Sequence, residues 1–437
     1  AAGGGKALVS FDIAWDNSWR DAENFDAVWA FVKYSDNDGA SWRHATLAAA
    51  GVNPDGFSPG GGGLFELVVP VDKKGVFVQR QAVGSGSASD TGVTLLWDFA
   101  QDGVSEHAKA QVRVMGIEMV YIPEGAFYVG DTPGDFVNQY QSCLRCTYID
   151  SPDMSLTATT GSGTVEDPYT SPEGCGRPGS ITGTFEPGYP NGYNAFYVMK
   201  YEMTQGMYAD MLNCLTYEQA MNRYPDMAPT SRNTITGEIF PTGGVFAAAA
   251  PHRAAGFFYY HDCWLDAAAY VDWAALRPAT EMEFEKAGRG PEVPVNKVYP
   301  WGVTNLLTAF SGITDDGTDA ESPSNGDANA NFTSASPDGP VRVGAFATNN
   351  ADRVKAGAGY FGVMELGGNV IDRVVSSGGA GLNTTPQIPS YSGAHGDGEL
   401  NAGGHADTPG WPVAGDHYTG RGGGWGGTAI DLQMRTR

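Results

Sequence analysis

From residue 8 to about residue 114, apolar side chains recur at every second position rather than at helical spacing. Val9, Phe11, Ile13 and Trp15 alternate with polar or small residues, and Val28, Ala30, Val32 and Tyr34 repeat the pattern. Such alternation puts one face of a strand against a core and the other toward solvent. Further short runs at 64–71, 76–80, 93–99 and 110–114 lie between Gly-, Ser- and Asp-rich turns. Six or seven strands in about 110 residues predict an immunoglobulin-like β-sandwich over residues 1–115, without the Cys…Trp…Cys core of antibody domains. Trp15, Trp19, Trp29, Trp42 and Trp97 are expected mostly to fill that core rather than to form a sugar-binding face, because large aromatics dominate sandwich interiors.

Residues 116–437 follow without an obvious linker and read as a second, loop-rich domain. Between about 131 and 194 lies a polar insertion punctuated by Pro and Gly, a length that is usually functional or disordered. The apolar period then changes to that of a helix. One helix is expected over 205–215, opened by Thr204, and another over 262–275, with Trp264, Ala268, Val271 and Ala275 on one face. A third begins at Thr280, where Glu283 completes a capping box. The remainder is glycine-rich and reads as loop. The fold class is therefore α+β.

Charge narrows the partners. Fifty acidic residues against 26 basic ones give a net charge of -24, which repels nucleic acid and anionic membranes and makes cations, calcium among them, the natural ligands. No run of eighteen apolar residues is present to span a membrane. The five cysteines are too few for a disulfide scaffold. Cys143 and Cys146 form one C-x-x-C, followed by Cys175, Cys214 and Cys263, but no second pair supplies the ligands of a zinc site. Disulfides in an exported protein are the better expectation, with at least one thiol left over and the pairing open. The small residues Ala1-Ala2-Gly3 at the start, the sequons at Asn331 and Asn383, and the Ser/Thr-rich run at 155–164 fit a secreted or cell-surface glycoprotein.

Catalytic signatures are missing from the sequence. It contains no G-x-S-x-G elbow, no phosphate loop ending in G-K-[ST] and no H-E-x-x-H. His44, His107, His252, His261, His405 and His417 are scattered without ligand spacing. Glu281 and Glu283 are explained by the favourable field at a helix start.

Six segments, in order, carry a family resemblance. They are Met119-Val120-Tyr121-Ile122-Pro123, Phe196-Tyr197-Val198-Met199-Lys200-Tyr201-Glu202-Met203-Thr204, Arg277-Pro278-Ala279-Thr280-Glu281-Met282-Glu283-Phe284, Tyr299-Pro300-Trp301-Gly302, Phe361-Gly362-Val363-Met364-Glu365-Leu366-Gly367-Gly368-Asn369-Val370, and Gly420-Arg421-Gly422-Gly423-Gly424-Trp425. Together they resemble the catalytic module of formylglycine-generating enzymes, the sulfatase-modifying factors. The resemblance implies an irregular α+β fold related to C-type lectins. It also implies calcium sites, one at Asn369 and Asp372 and another at Asn331 and Asp338, with aspartate in place of the usual glutamate at 372. Asn331 then carries two incompatible expectations, since a glycosylated asparagine cannot ligate a metal.

The resemblance fails at the chemistry. Catalytic members hold copper(I) with two cysteines shortly after the closing glycine-aromatic segment, because that ion prefers thiolate. The corresponding positions here are Gly427 and Leu432, so no copper is expected. The leading expectation is a non-catalytic extracellular structural or adhesive protein that self-associates, as a filament subunit for example. Its Gly-rich start would be held by a neighbouring subunit or by the chain's own fold. An alternative is a module binding glycans or surface proteins through C-terminal lectin-like loops, with Trp411, Tyr418 and Trp425 as stacking residues. A second alternative is a copper- or iron-dependent oxidase with a relocated site.

Overall fold

Eight N-terminal strands realise the alternation: β1 (Ala7–Arg20), β2 (Phe25–Ser35), β3 (Arg43–His44), β4 (Gly51–Val52), β5 (Phe65–Val69), β6 (Val76–Arg80), β7 (Gly84–Trp97) and β8 (Gln111–Ile122). Two short hairpins follow, β9 (Phe127–Val129) with β10 (Thr147–Ile149) and β11 (Thr157–Ala158) with β12 (Gly183–Thr184), before β13 (Phe196–Met199) rejoins the large sheet. Its order is β13-β8-β2-β6-β5-β4, and every pairing is antiparallel. The computed structural model describes residues 3–130, 147–152, 157–158, 183–184, 188–224, 232–240, 243–256, 263–305, 309–333, 337–348, 351–377, 390–413, 418–434 and 436. Most of the insertion, with Cys143, Cys146 and Cys175, lies outside the described residues, as does Asn383.

β1 pairs with β7 from Ala7↔Trp97 to Arg20↔Gly84, with register shifts between Phe11 and Ile13 and between Trp15 and Ser18. Bulges of this kind bend and twist a strand. Only Arg20↔Phe25 ties β1 to β2, so the β1–β7 pair forms a second layer over the sheet. Val9, Trp15, Val93 and Leu95 from that layer share one core with Val28, Val32, Phe65 and Val78.

β2 shows what alternation leaves out. Val28, Ala30, Val32 and Tyr34 face the inter-layer core as their spacing predicts, yet Trp29 and Phe31 are buried as well, in a second cluster with Met211, Tyr270 and Trp273. The C-terminal part of the chain covers the face that a free sandwich would show to water, as happens to strands buried on both sides. Lys33 lies on that covered face, where its ammonium donates to the carbonyls of Trp273 (2.6 Å) and Gly398. β8 binds the two halves together. It pairs with β2 from Gln111 to Tyr121 and with β13 from Met119 to Ile122, so the expected division at 115/116 falls inside a single strand.

The helices start where capping residues place them. α1 (Gln205–Leu212) is capped by Thr204, whose hydroxyl accepts from Met207 N. α3 (Cys263–Trp273) and α4 (Glu281–Arg289) follow, the latter with the expected reciprocal box between Thr280 and Glu283. One further helix is not predicted by the apolar period: α2 (Tyr217–Arg223), opened by a Thr216–Gln219 box. It precedes the hairpin β14 (Ile235–Phe240) and β15 (Gly243–Ala248). Beyond α4, the described regular structure is confined to β16 (Ile313–Thr314) with β17 (Ser322–Pro323) and β18 (Asp372–Val375) with β19 (Tyr418–Arg421). The architecture is α+β, dominated by antiparallel sheet and loops.

Candidate functional site

Three segments, around 329–332, 365–370 and 420–427, the last two rich in glycine, interleave where the signature segments meet. Gly368 N donates to Gly422 O (2.8 Å), Asn369 N to Asn331 O (2.8 Å), and Trp425 N to Asn369 O (2.9 Å). Gly368 has φ 91°, and a Cβ there would stand 2.6 Å from Asn331 O, so no other residue fits the crossing. Asn369 itself has φ 62°, a conformation that asparagine tolerates better than most residues.

Asn369 is the centre of this knot. Its Nδ2 donates to Glu202 Oε2 (2.6 Å), and its Oδ1 accepts from Val341 N (2.8 Å) and Asn331 Nδ2 (3.2 Å). The Val370 N–H donates to the other oxygen of Glu202 (2.8 Å). Glu202 lies in the segment between β13 and α1, and the sequence marks it only as part of a motif. Its side chain ties that segment to the 365–370 loop.

Glu365 and Asp372 complete a buried acidic group. Burial, then the charges of Glu365 and Asp372, push Glu202 well above the usual carboxylate range. Burial raises Glu365 to about 8 and Asp372 to about 8. One oxygen of each, Glu365 Oε2 and Asp372 Oδ2, is buried without a hydrogen-bond partner.

This arrangement does not fit the expected calcium ligands. A carbonyl oxygen has two lone pairs, and both of those on Asn369 Oδ1 already accept N–H bonds. Asn331 turns its amide inward, donating to Gly339 O (3.0 Å) as well as to Asn369, while Asp338 is exposed. Asn331 is 2% exposed, so its sequon is closed to glycosylation in the folded chain.

Of the expected stacking residues, the two tryptophans are likewise internal. Trp425 and Trp411 are each 6% exposed, and the Trp411 indole N–H donates to Ala394 O (2.9 Å). Tyr418 stacks on Trp264 with ring centroids 4.8 Å apart. As folded, neither tryptophan offers a free aromatic face, because the loops that carry them pack on α3 and on the Asn369 knot, whereas Tyr418 is half-buried.

The two positions that correspond to the family's copper-binding cysteines are structural as well. Gly427 closes a turn, its N–H donating to Gly424 O (2.8 Å) and its carbonyl accepting from Thr333 N (2.9 Å). Leu432 is fully buried in a cluster with Tyr299, Trp301, Ala330 and Phe332. Cys214 is a buried free thiol, and burial raises its pKa, which favours the inert protonated form.

A buried ionic network holds this region to α4. Arg421 donates to Glu285 (2.8 Å) and Glu281 (3.3 Å), and Arg289 pairs with Glu285 (3.1 Å). The helix-start segment and the closing glycine segment, far apart in sequence, thus meet through charge.

The family model for the sulfatase-modifying factor enzyme 1-like domain matches residues 104–437, and the chain belongs to that family. No curated protein and no solved structure matches the chain.

Proposed function

We propose that this chain is a non-catalytic member of the sulfatase-modifying factor family, acting as an extracellular structural or adhesive protein that associates with copies of itself. The observation that carries the reading is Leu432. At the second copper-binding position of the family stands a fully buried leucine packed among aromatic rings, and Gly427 at the first offers no side chain. Copper(I) binding in the family's manner needs two thiolates there. The N-terminal strands, layered over one apolar core, support an immunoglobulin-like accessory domain fused to the family module through β8.

The hairpin β14–β15 supports self-association. It forms its own two-stranded sheet, and Val245 and Phe240 are exposed on it. An open sheet edge with exposed apolar side chains is a template for strand addition from another chain. The N-terminus lends no support of its own, since Gly5 O already accepts from Ala100 N (3.0 Å) within the chain. Electron microscopy and sedimentation of the purified protein over a wide concentration range test the assembly. A regular repeat or a concentration-dependent oligomer is expected, and monomers throughout would remove this part of the reading.

A further inference from the structure

Lys200, Asp26 and Glu118 meet in the interior, where the large sheet adjoins the segment leading into α1. Asp26 lies on β2 and Glu118 on β8, and Lys200 directly follows β13, so three neighbouring strands bring them together. The Lys200 Nζ is 3.1 Å from Asp26 Oδ2 and 2.9 Å from Glu118 Oε2, and the Lys200 and Asp26 side chains are only 3% and 0% exposed. Two rings cover the ammonium, Trp19 at 5.1 Å and Tyr201 at 5.3 Å.

An ion pair alone needs only two charges, whereas here both oxygens of the Asp26 carboxyl are fully engaged. Oδ1 accepts from the Ser18 hydroxyl (2.9 Å) and the Trp19 N–H (3.0 Å). Oδ2 accepts from the Trp15 indole N–H (2.9 Å) as well as from Lys200. Two fixed donors on one oxygen are the arrangement that stabilises the oxyanion of a tetrahedral intermediate. Near-attack geometry holds reacting atoms about 3–3.5 Å apart, and Nζ is already within that range of the oxygen bonded to the Asp26 carboxyl carbon. A second carboxyl in hydrogen-bond reach of the amine completes the groups that an amide condensation requires.

We infer that Lys200 Nζ condenses with the Asp26 carboxyl to form an intramolecular isopeptide bond, with Glu118 moving the protons and water as the leaving group. At rest Lys200 is charged, because burial, which works against the ammonium, is outweighed by Glu118, Tyr201 and Asp26. One proton first passes along the hydrogen bond to Asp26 Oδ2, leaving an amine and a carboxylic acid, a neutral pair that a water-free interior tolerates better than two charges. The nitrogen lone pair then forms the bond to Cγ while the C=O pair moves onto Oδ1, between Ser18 and Trp19. Glu118 takes a second proton from Nζ and returns it to Oδ2, which departs as water when the C=O re-forms. Nothing is oxidised, and the products are one amide and one water. Burial raises Glu118 above the usual carboxylate range, which suits it to both transfers. Glu118 and Tyr201 also border a cavity of about 420 Å3 that receives the water. The bond fastens β2, across β8, to the segment leading into α1. It depends neither on the chain being non-catalytic in the family's reaction nor on its self-association.

Intact-mass spectrometry of the full chain, made without glycosylation and then reduced and denatured, tests the bond. The chain should be lighter than its sequence by one water, and digestion should yield a branched fragment joining Asp26 to Lys200. Lys200→Arg and Asp26→Ala should show the full sequence mass. Glu118→Gln should purify with most chains unlinked, since loss of an acid–base group slows such a step about a hundredfold. If a variant fails to fold, the fragment from the unaltered chain decides. The full sequence mass in the unaltered chain, a branch mapped to other residues, or water lost equally by folded Lys200→Arg overturns the proposal. Folded Glu118→Gln that links as fully as the unaltered chain overturns the part given to Glu118.

Discussion

Arg421 Nη2 lies 2.8 Å from Glu285 Oε1, and neither side chain reaches solvent. Glu281 and Arg289 extend the pair into a network between β19 and α4. Charges without water depend on each other, and removing one partner of a buried pair costs about 3–5 kcal/mol. Arg421→Met should lower the unfolding free energy by about that amount, measured by denaturant titration. A loss below about 1 kcal/mol would mean that the pair behaves as a solvated one.

Leu432 is predicted to matter for stability. Leu432→Ala leaves a cavity among Tyr299, Trp301 and Phe332, and such truncations cost about 2–5 kcal/mol. Calorimetric melting measures the loss. A neutral substitution would show that the position is not packed as described.

The Glu202–Asn369–Asn331 knot predicts indifference to chelators. Asn369 Oδ1 has both lone pairs occupied, so added EDTA or EGTA should leave the melting temperature of the purified protein unchanged. A fall on chelation that calcium restores would show that a metal is bound where the loops now satisfy each other. Mass spectrometry of the protein made in a glycosylating host should likewise find Asn331 unmodified, because its amide is buried and donates both of its N–H bonds inward.

Glu365 gives the protein an unusual response to pH. Its folded-state pKa of about 8 is above the ordinary 4.5, so the folded chain keeps a proton that the unfolded chain releases between those values. The stability is fully present below about pH 4.5 and is lost as pH rises through about 8. Asp372 and Glu202, also raised, act in the same direction. The melting temperature should therefore fall between pH 5 and pH 8, and Glu365→Gln should flatten that slope. A rise over this interval, unchanged in the variant, would contradict the burial of the group.

How much of this was legible in the sequence depended on how local each signal is. Thr204, Thr280 and Glu283 announce their helices because capping is settled within four residues. The second face of β2 was illegible, since Trp29 and Phe31 read as ordinary alternation until α1 and α3 pack on them. α2 has only seven residues and leaves Tyr217 and Met221 largely exposed, so its apolar period is too weak to find, although the Thr216–Gln219 box was a usable cue. At the site, the motif singles out Asn331 and Asn369 but implies that they are ligands. The partners of Asn369, which are Glu202, the Val341 N–H and Asn331 itself, come from segments more than twenty residues away, and no spacing rule connects them. Trp411 and Trp425 look like display residues in the sequence for the same reason, as burial by distant loops leaves no mark on neighbouring positions.

The central claim, that the family scaffold persists here without the family's reaction, is tested most directly by aldehyde formation. The purified chain is incubated with copper(I) and a cysteine-containing sulfatase peptide, and the aldehyde is captured by a hydrazide and counted by mass spectrometry. With Gly427 and Leu432 at the thiolate positions, the yield should equal that of the peptide and copper alone. Aldehyde accumulating in proportion to the protein would contradict the account and require a reaction centre elsewhere in the chain.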